Sequence, residues 1–207
     1  MSRGLLVAVD GPGGVGKSSV TAEVCRQLAH AGIPSYETTE PSMTTIGRAI
    51  RQCTGTYQGY ALACLIAGDR HHHVEHEIQP QMGLGAIVVC DRYITSSLVL
   101  QHMDGLPQAT VWELNQPLLM PDIQVVLTAD PEVTSKRLAE RGVHSRFEEM
   151  SDSSFTERDY YEQAVTFLRG RGVESVTIDC TAAEPVGIAR DIVDLIKIRM
   201  KHQRSTP

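Results

Sequence analysis

The sequence predicts an α/β fold, a parallel sheet with helices on both faces, from three observations. Short apolar runs of strand length alternate with amphipathic helical stretches along the chain, the order that builds parallel βαβ units. The first of those runs feeds directly into a glycine-rich turn, Gly11-Pro12-Gly13-Gly14-Val15-Gly16-Lys17-Ser18-Ser19, which opens a helix. The length of 207 residues suits one domain with a sizeable core.

Leu5 to Val9 is continuously apolar, as a strand buried on both faces must be. After the turn, Val20, Val24 and Leu28 recur every four residues and stripe one face of a helix ending near Ala31-Gly32. Ile33 to Thr38 is shorter and more polar, started by Pro34 and stopped by Pro41, and suits a sheet edge. A turn at Glu40-Pro41 feeds a short helix through Arg51, and Gly55 to Gly59 breaks it. From Tyr60 the run Ala61 to Ala67 is apolar on every side, so this helix is buried or lies in a subunit interface. It is expected to pass Asp69-Arg70 and the His-rich turn and to end before Pro80.

Ala86 to Cys90 reads as the next buried strand, with Asp91-Arg92-Tyr93 at its end. Helical stretches follow near Thr95–His102 and Pro107–Leu119, then a strand over Ile123 to Thr128 and a helix over Glu132–Arg141 capped by Asp130. The polar segment Gly142 to Ser154 interrupts the pattern before a helix around Phe155–Arg169, a strand at Ser175–Ile178 and a last helix from near Glu184-Pro185.

A net charge of -6 argues against a nucleic-acid-binding surface. The five cysteines lack Cys-x-x-Cys spacing and read as reduced small hydrophobes. No apolar run reaches bilayer length and no signal peptide precedes the first strand, so a cytoplasmic, soluble protein is expected.

The glycine-rich turn matches Gly-x-x-x-x-Gly-Lys-Ser. Glycines at 11, 13, 14 and 16 let backbone N–H groups, with those of Val15 and Ser19, converge on phosphate oxygens at the start of a helix dipole. Lys17 is placed to reach the β/γ-phosphates and the Ser18 hydroxyl to sit on Mg²⁺. Ligands of such sheets collect at the carboxyl ends of the strands, which brings Asp10-Gly11 and Asp91-Arg92 together. There Asp91 can hold Mg²⁺ and Arg92 can clamp a phosphate, or the two form an ion pair that caps the strand. Arg137, Arg141 and Arg146 cluster about Gly142. They read either as a closing lid that neutralises a transferred phosphoryl group or as a solvated loop paired with Glu140, Glu148 and Glu149. Arg70, on the apolar helix, needs an anionic partner, either Asp69 or a ligand. Arg48 and Arg51 stand at the same cleft or on the surface. His72 and His76 have metal-compatible spacing without a third ligand, and a solvated helix end is the better reading.

Together these segments resemble the thymidylate kinase family over nearly the whole chain. The resemblance rests on the phosphate loop, Glu40-Pro41, Ala67-Gly68-Asp69-Arg70, Asp91-Arg92-Tyr93-x-x-Ser96-Ser97, Gln101, Pro121-Asp122 and the stretch from Arg137 through Arg146-Phe147-Glu148. It implies a five-stranded nucleoside monophosphate kinase fold with a lid at 142–154, ATP and Mg²⁺ as cofactors, and a homodimer. It implies that Lys17, Arg92, Arg141 and Arg146 surround the transferred phosphoryl group. Arg137 then serves the donor, and Asp10, Glu40, Arg51, Ile66, Arg70, Ser96, Ser97, Leu100 and Gln101 serve the acceptor. The departures fall on the acceptor pocket. Gly13 stands where an acidic residue is usual, Thr39 replaces an Arg, Ile66 a Phe and Leu100 a Tyr. The expected function is phosphorylation of dTMP or a related pyrimidine nucleotide. The alternatives are a specialised kinase for a modified or non-thymine nucleotide and a phosphate-loop switch or binding protein.

Overall fold

A computed structural model describes residues 3–142, 147 and 153–205. Arg146 and most of the 142–154 segment therefore lie outside the described residues, as does the side chain of Arg141. Five parallel strands, β1 (Leu6–Asp10), β2 (Ser35–Thr39), β3 (Ile87–Asp91), β4 (Ile123–Thr128) and β5 (Ser175–Asp179), form one sheet in the order β2-β3-β1-β4-β5. The polar β2 occupies an edge, as its composition required, while β1 and β3 are buried throughout.

Alternation along β1 sorts the core into two layers. Leu5, Val7 and Val9 pack with Val20, Val24 and Leu28 of α1 (Lys17–His30) and with Ile188 and Ile192 of α9 (Pro185–Ser205). Leu6 and Ala8 face the other way, onto Ile94 and Leu98 of α5 (Ile94–Met103) and Tyr161, Ala164 and Leu168 of α8 (Ser153–Arg169). Helices thus cover both faces, and the strands end together at the turn into α1. Val9 is in register with Asp91 of β3, and Asp10 with Val126 of β4.

Between β2 and β3 run α2 (Thr45–Cys53), α3 (Gly59–His73) and α4 (Gln79–Gly83). Helix α2 starts on Thr44, whose side chain accepts from the Gly47 N–H. Gly47 lies so close to the preceding turn that a Cβ there would stand 2.1 Å from the Ser42 carbonyl oxygen. Gly47→Ala is accordingly expected to lower Tm by several degrees and to displace Arg51, one helical turn further on; a melting curve identical to that of the parent would contradict this contact.

The helical run does not stop before Pro80. A π turn at Val74–Ile78 follows α3, with the Gln79 N–H donating to the Val74 carbonyl, and Pro80 enters in the first turn of α4. The missing proline N–H falls where the bonding register changes, so no helical bond is broken there. The stretch expected at Pro107–Leu119 is shorter, α6 (Gln108–Leu114). The Asn115 amide bonds back to the Val111 carbonyl at 2.7 Å and ends the helix, before a Gln116-Pro117 step that disfavours further helix. The last unlabelled element, α7 (Pro131–Arg141), is capped by Asp130 as expected, its carboxylate accepting the Glu132 N–H at 2.9 Å.

Candidate active site

The phosphate-binding turn joins β1 to α1 with no intervening side-chain cap, because Gly16 adopts φ 100° and Lys17 is already helical. Gly14, at φ 74°, passes within reach of α7, where a Cβ would stand 2.7 Å from the Thr134 carbonyl. Inside this cradle Lys17 is folded onto the loop itself, its Nζ donating to the carbonyls of Gly11 and Pro12 at 2.8 Å each. Burial, reinforced by the Arg92 charge, pulls its pKa down to about 7. The fold thus holds an ammonium short of counter-charge among backbone N–H groups, an arrangement that an anion completes.

Across from it, the Ser18 hydroxyl donates to Asp91 Oδ2 at 2.5 Å. The other carboxylate oxygen, Oδ1, is buried with no hydrogen-bond partner among the described residues. Two hard oxygen donors, one carrying an orphaned lone pair, fit a Mg²⁺ ion rather than an ion pair that merely caps a strand. Beside them Arg92 takes φ 71°, the only positive φ outside glycine among the described residues. Its Nη1 is likewise buried and unpartnered there.

Two cavities meet on this corner. The larger, about 940 Å³, is lined among others by Glu40, Arg51, Leu62, Ile66, Leu100, Gln101, Phe147 and Glu157. The smaller, about 570 Å³, is lined by Gly14 to Ser19, Arg137 and, from the start of α9, Glu184, Pro185 and Ile188. Ser18, Asp91 and Arg92 belong to both. Such a pair of chambers, sharing a metal-fitting corner and the Arg92 guanidinium, can present two phosphorylated ligands to each other.

Most of the expected residues stand on these walls, but four of the acceptor set do not. Asp10 is fully buried and saturated: Oδ1 accepts the Tyr93 N–H, the Ser96 N–H and the Ser96 hydroxyl, at 2.9, 2.9 and 2.5 Å, and Oδ2 accepts the Gln124 amide at 2.9 Å. It fastens β1 to the start of α5, and Ser96 is its partner rather than a wall of the cavity. Arg70 is not paired with Asp69; its anionic partner among the described residues is Glu40. Its Nε donates to Glu40 Oε2 at 2.6 Å, Nη1 to Asn115 Oδ1 at 2.5 Å and Nη2 to the Ser97 hydroxyl at 2.8 Å, with only 2% of the side chain exposed. Asp69 instead accepts the Ser42 N–H and hydroxyl, both at 2.6 Å, which fixes the turn before α2. Arg70 and Ser97 therefore stand behind the wall of the larger cavity, where Arg70 fixes Glu40. Gly11 and Gly13 stand outside the cavity linings as well, and Arg48 turns to the Met43 carbonyl while Arg51 lines the larger cavity.

Electrostatics follow the same division. Burial and the neighbouring Arg92 lower the pKa of Arg51, the mark of two guanidinium groups turned into one cavity. Burial opposes the charge of Arg70, but Glu40 outweighs it and holds the pKa above its ordinary value. His73 behaves alike: burial opposes protonation, and Glu40 with Glu77 outweighs it. Its Nε2 lies 2.8 Å from the Thr38 hydroxyl and its Nδ1 3.3 Å from Glu40. The sequence singled out His72 and His76, whose rings meet at 4.4 Å with a tilt of 54°, and missed this buried neighbour. It also missed Glu157, whose carboxylate accepts the Gly13 N–H at 2.8 Å. Periodicity places it on α8, but nothing local signals that this helix returns to the phosphate loop. No helix among the described residues is long and apolar enough to cross a membrane.

Comparison with known proteins agrees with this geometry. The family model described as thymidylate kinase matches residues 9–181. The probable thymidylate kinase of Pyrobaculum calidifontis is 32% identical over 204 residues, covering 97% of this chain and 100% of that protein. That of Caldivirga maquilingensis is 35% identical over 201 residues, or 95% of each. The thymidylate kinase of Xylella fastidiosa strain M12 is 33% identical over 141 residues, 67% of this chain and 65% of that protein.

Proposed function

Since the chain belongs to the thymidylate kinase family, we propose that it transfers the γ-phosphoryl group of ATP to the 5′-phosphate of dTMP. The observation that carries this reading is the sharing of Ser18, Asp91 and Arg92 by two otherwise separate cavities. The smaller, floored by the phosphate loop, takes the donor. The larger, with Arg51 and Arg92 at one end and Ile66, Leu100 and Gln101 along its walls, takes the acceptor.

An acceptor phosphate oxygen is a nucleophile at neutral pH, so positioning and charge neutralisation carry the reaction and no dedicated base is needed. Lys17 exchanges its loop carbonyls for donor phosphate oxygens, and the N–H groups of Gly14 to Ser19 surround them. Ser18 and Asp91 would hold Mg²⁺, which would supply neutralisation of the donor phosphates. Arg92 and Arg51 clamp the acceptor phosphate, while Arg137, Arg141 at the end of α7 and Arg146 of the 142–154 lid serve charge that grows in the transition state. Gln101, whose Oε1 is buried without a partner among the described residues, faces the base. Arg70 keeps Glu40 and Ser97 in place behind it. The exposed apolar face of α3 with Ala61, Cys64 and Leu65 contacts a second copy in a homodimer, in keeping with a cytoplasmic enzyme.

The test is ADP release from ATP with dTMP, dUMP, dCMP, UMP or CMP, and with no acceptor. Turnover is expected only with acceptor, and with dTMP among those used. Ile66 and Leu100 give apolar contact without an aromatic face, so Ile66→Phe should raise kcat/KM for dTMP roughly 5-fold, the worth of about 1 kcal/mol of stacking. Equal ADP release without any acceptor would assign a switch instead. A preference for another pyrimidine nucleotide would assign a specialised kinase.

A further inference from the structure

Three buried side chains from separate elements meet beside the larger cavity: Glu40 just past β2, His73 at the end of α3 and Cys90 in β3. Each offers one ligand atom, a carboxylate oxygen, a ring nitrogen and a sulfur, and the three lie within 4.8 Å of one another. No other group of three or more histidine, cysteine or carboxylate side chains gathers in this way among the described residues.

The spacing suits one small ion. Nitrogen and oxygen ligands of a tetrahedral centre stand about 3.4 Å apart, and His73 Nδ1 faces Glu40 Oε1 at 3.3 Å. Both ligands are also held from behind. Glu40 gives its other oxygen to Arg70 Nε at 2.6 Å. The second ring nitrogen of His73, Nε2, lies 2.8 Å from the Thr38 hydroxyl and 3.4 Å from Glu77 Oε1. That hydroxyl and the Tyr36 hydroxyl both donate to Glu77 Oε1, at 2.7 and 3.1 Å, so the Glu77 carboxylate is itself fixed. A carboxylate backing one nitrogen of an imidazole, leaving the other nitrogen for an ion, is how metal-binding histidines are oriented. The π turn at Val74–Ile78 is what sets Glu77 beneath the ring.

We propose that Glu40 Oε1, His73 Nδ1 and Cys90 Sγ form a metal site, separate from the Ser18–Asp91 corner, for a borderline-soft divalent cation of the Zn²⁺ class. One sulfur, one nitrogen and one oxygen are the donors such an ion takes, with a fourth position for water. Mg²⁺, which demands oxygen ligands, stays with Ser18 and Asp91. Coordination releases the thiol proton, and any proton on Nδ1, to solvent. The sulfur then leaves the Arg92 carbonyl, to which it donates at 3.0 Å. Charge balances: the ion and Arg70 together meet the carboxylates of Glu40 and Glu77 and the thiolate. None of this depends on which nucleotide is the acceptor.

The experiment titrates Cd²⁺ into the full chain with Mg²⁺ in excess and follows the ultraviolet charge-transfer band of a cadmium thiolate; Tm is measured with and without Zn²⁺. The band is expected to saturate at one ion per chain, and Zn²⁺ at roughly 100 times its Kd should raise Tm by about 5–10 °C. Cys90→Ser should abolish the band. Glu77→Gln, which keeps all three ligands, should keep the band and weaken binding about 10-fold. A wild type without the band, or with a Tm that Zn²⁺ does not move, overturns the proposal. A band unchanged in Cys90→Ser overturns it too, since another cysteine then holds the ion. So does loss of the Zn²⁺ effect when His72 and His76 are replaced by alanine, which would put the ion on the exposed histidines. If Cys90→Ser does not fold, Glu77→Gln decides, and an affinity unchanged there overturns the site.

Discussion

Replacing Lys17 with alanine is expected to lower kcat by about 10³-fold while leaving the cooperative thermal transition in place. The loss follows from position: the ammonium sits among the N–H groups of the phosphate loop, on the carbonyls of Gly11 and Pro12. The retention of the fold follows from charge. Burial and Arg92 pull the Lys17 pKa to about 7 in the ligand-free protein, against an ordinary value of 10.5. Between those two values the unfolded chain binds the extra proton, so unfolding takes one up and stability rises with pH across this window. Lys17→Ala should therefore flatten the rise of Tm between pH 7 and pH 10.5. Donor phosphates restore the missing counter-charge, so ATP binding near pH 8.5 should take up close to one proton in the wild type and none in the variant. Calorimetry in buffers of different ionisation enthalpy reads that proton directly. A folded Lys17→Ala enzyme with near-parental turnover would remove the loop from the reaction.

What the sequence made legible was local or strictly periodic. β1, the glycine-rich turn and α1 follow from a motif flanked by a strand and a helical stripe, and β4 runs over the expected Ile123–Thr128. The meeting of Asp91 with the phosphate loop followed from the rule that strand ends gather ligands, and the register of Val9 with Asp91 bears it out. The misreadings share one cause, tertiary contact between distant segments. For Arg70 the sequence offers its neighbour Asp69 or a ligand as the anionic partner; the fold brings Glu40, Ser97 and Asn115 to it, which no local pattern signals. Pro80 was taken as a stop because proline breaks an α-helical bond, and the π turn that removes that bond has no compositional mark. Glu157 lies 144 residues from Gly13 and is one more glutamate on an amphipathic helix until α8 packs against the loop. Asp10 and Ser96, which the resemblance assigns to the acceptor, bond to each other at the carboxyl end of β1. Complete burial of Asp10 shows that the carboxyl end of a strand also needs groups that only fasten it.

Arg92→Gly is expected to separate stability from catalysis more sharply than any other substitution at this site. The backbone of Arg92 is held at φ 71° from both sides, its N–H donating to the Val9 carbonyl at 3.0 Å and its own carbonyl accepting from Cys90 Sγ at 3.0 Å. An L-residue there costs on the order of 1 kcal/mol, a strain that glycine does not carry. Burial opposes the charge of the side chain, Tyr161, Asp91, Glu157 and Asp10 offset that cost, and Nη1 is left unpartnered among the described residues. Removing it therefore releases strain and an incompletely satisfied buried cation together, and Tm should hold or rise by a few degrees. The reaction loses the one guanidinium that both cavities share among the described residues, so kcat should fall by about 10²- to 10³-fold and the KM for the acceptor should rise. Arg92→Lys supplies the control: it keeps a charge and the strained backbone but not the planar fork, so it should recover part of kcat and none of the added Tm. A lower Tm in Arg92→Gly with kcat intact would mean that Arg92 holds the end of β3 and not the phosphoryl group. The opposite pattern, a sturdier protein with little activity, is what strain kept at a working residue requires.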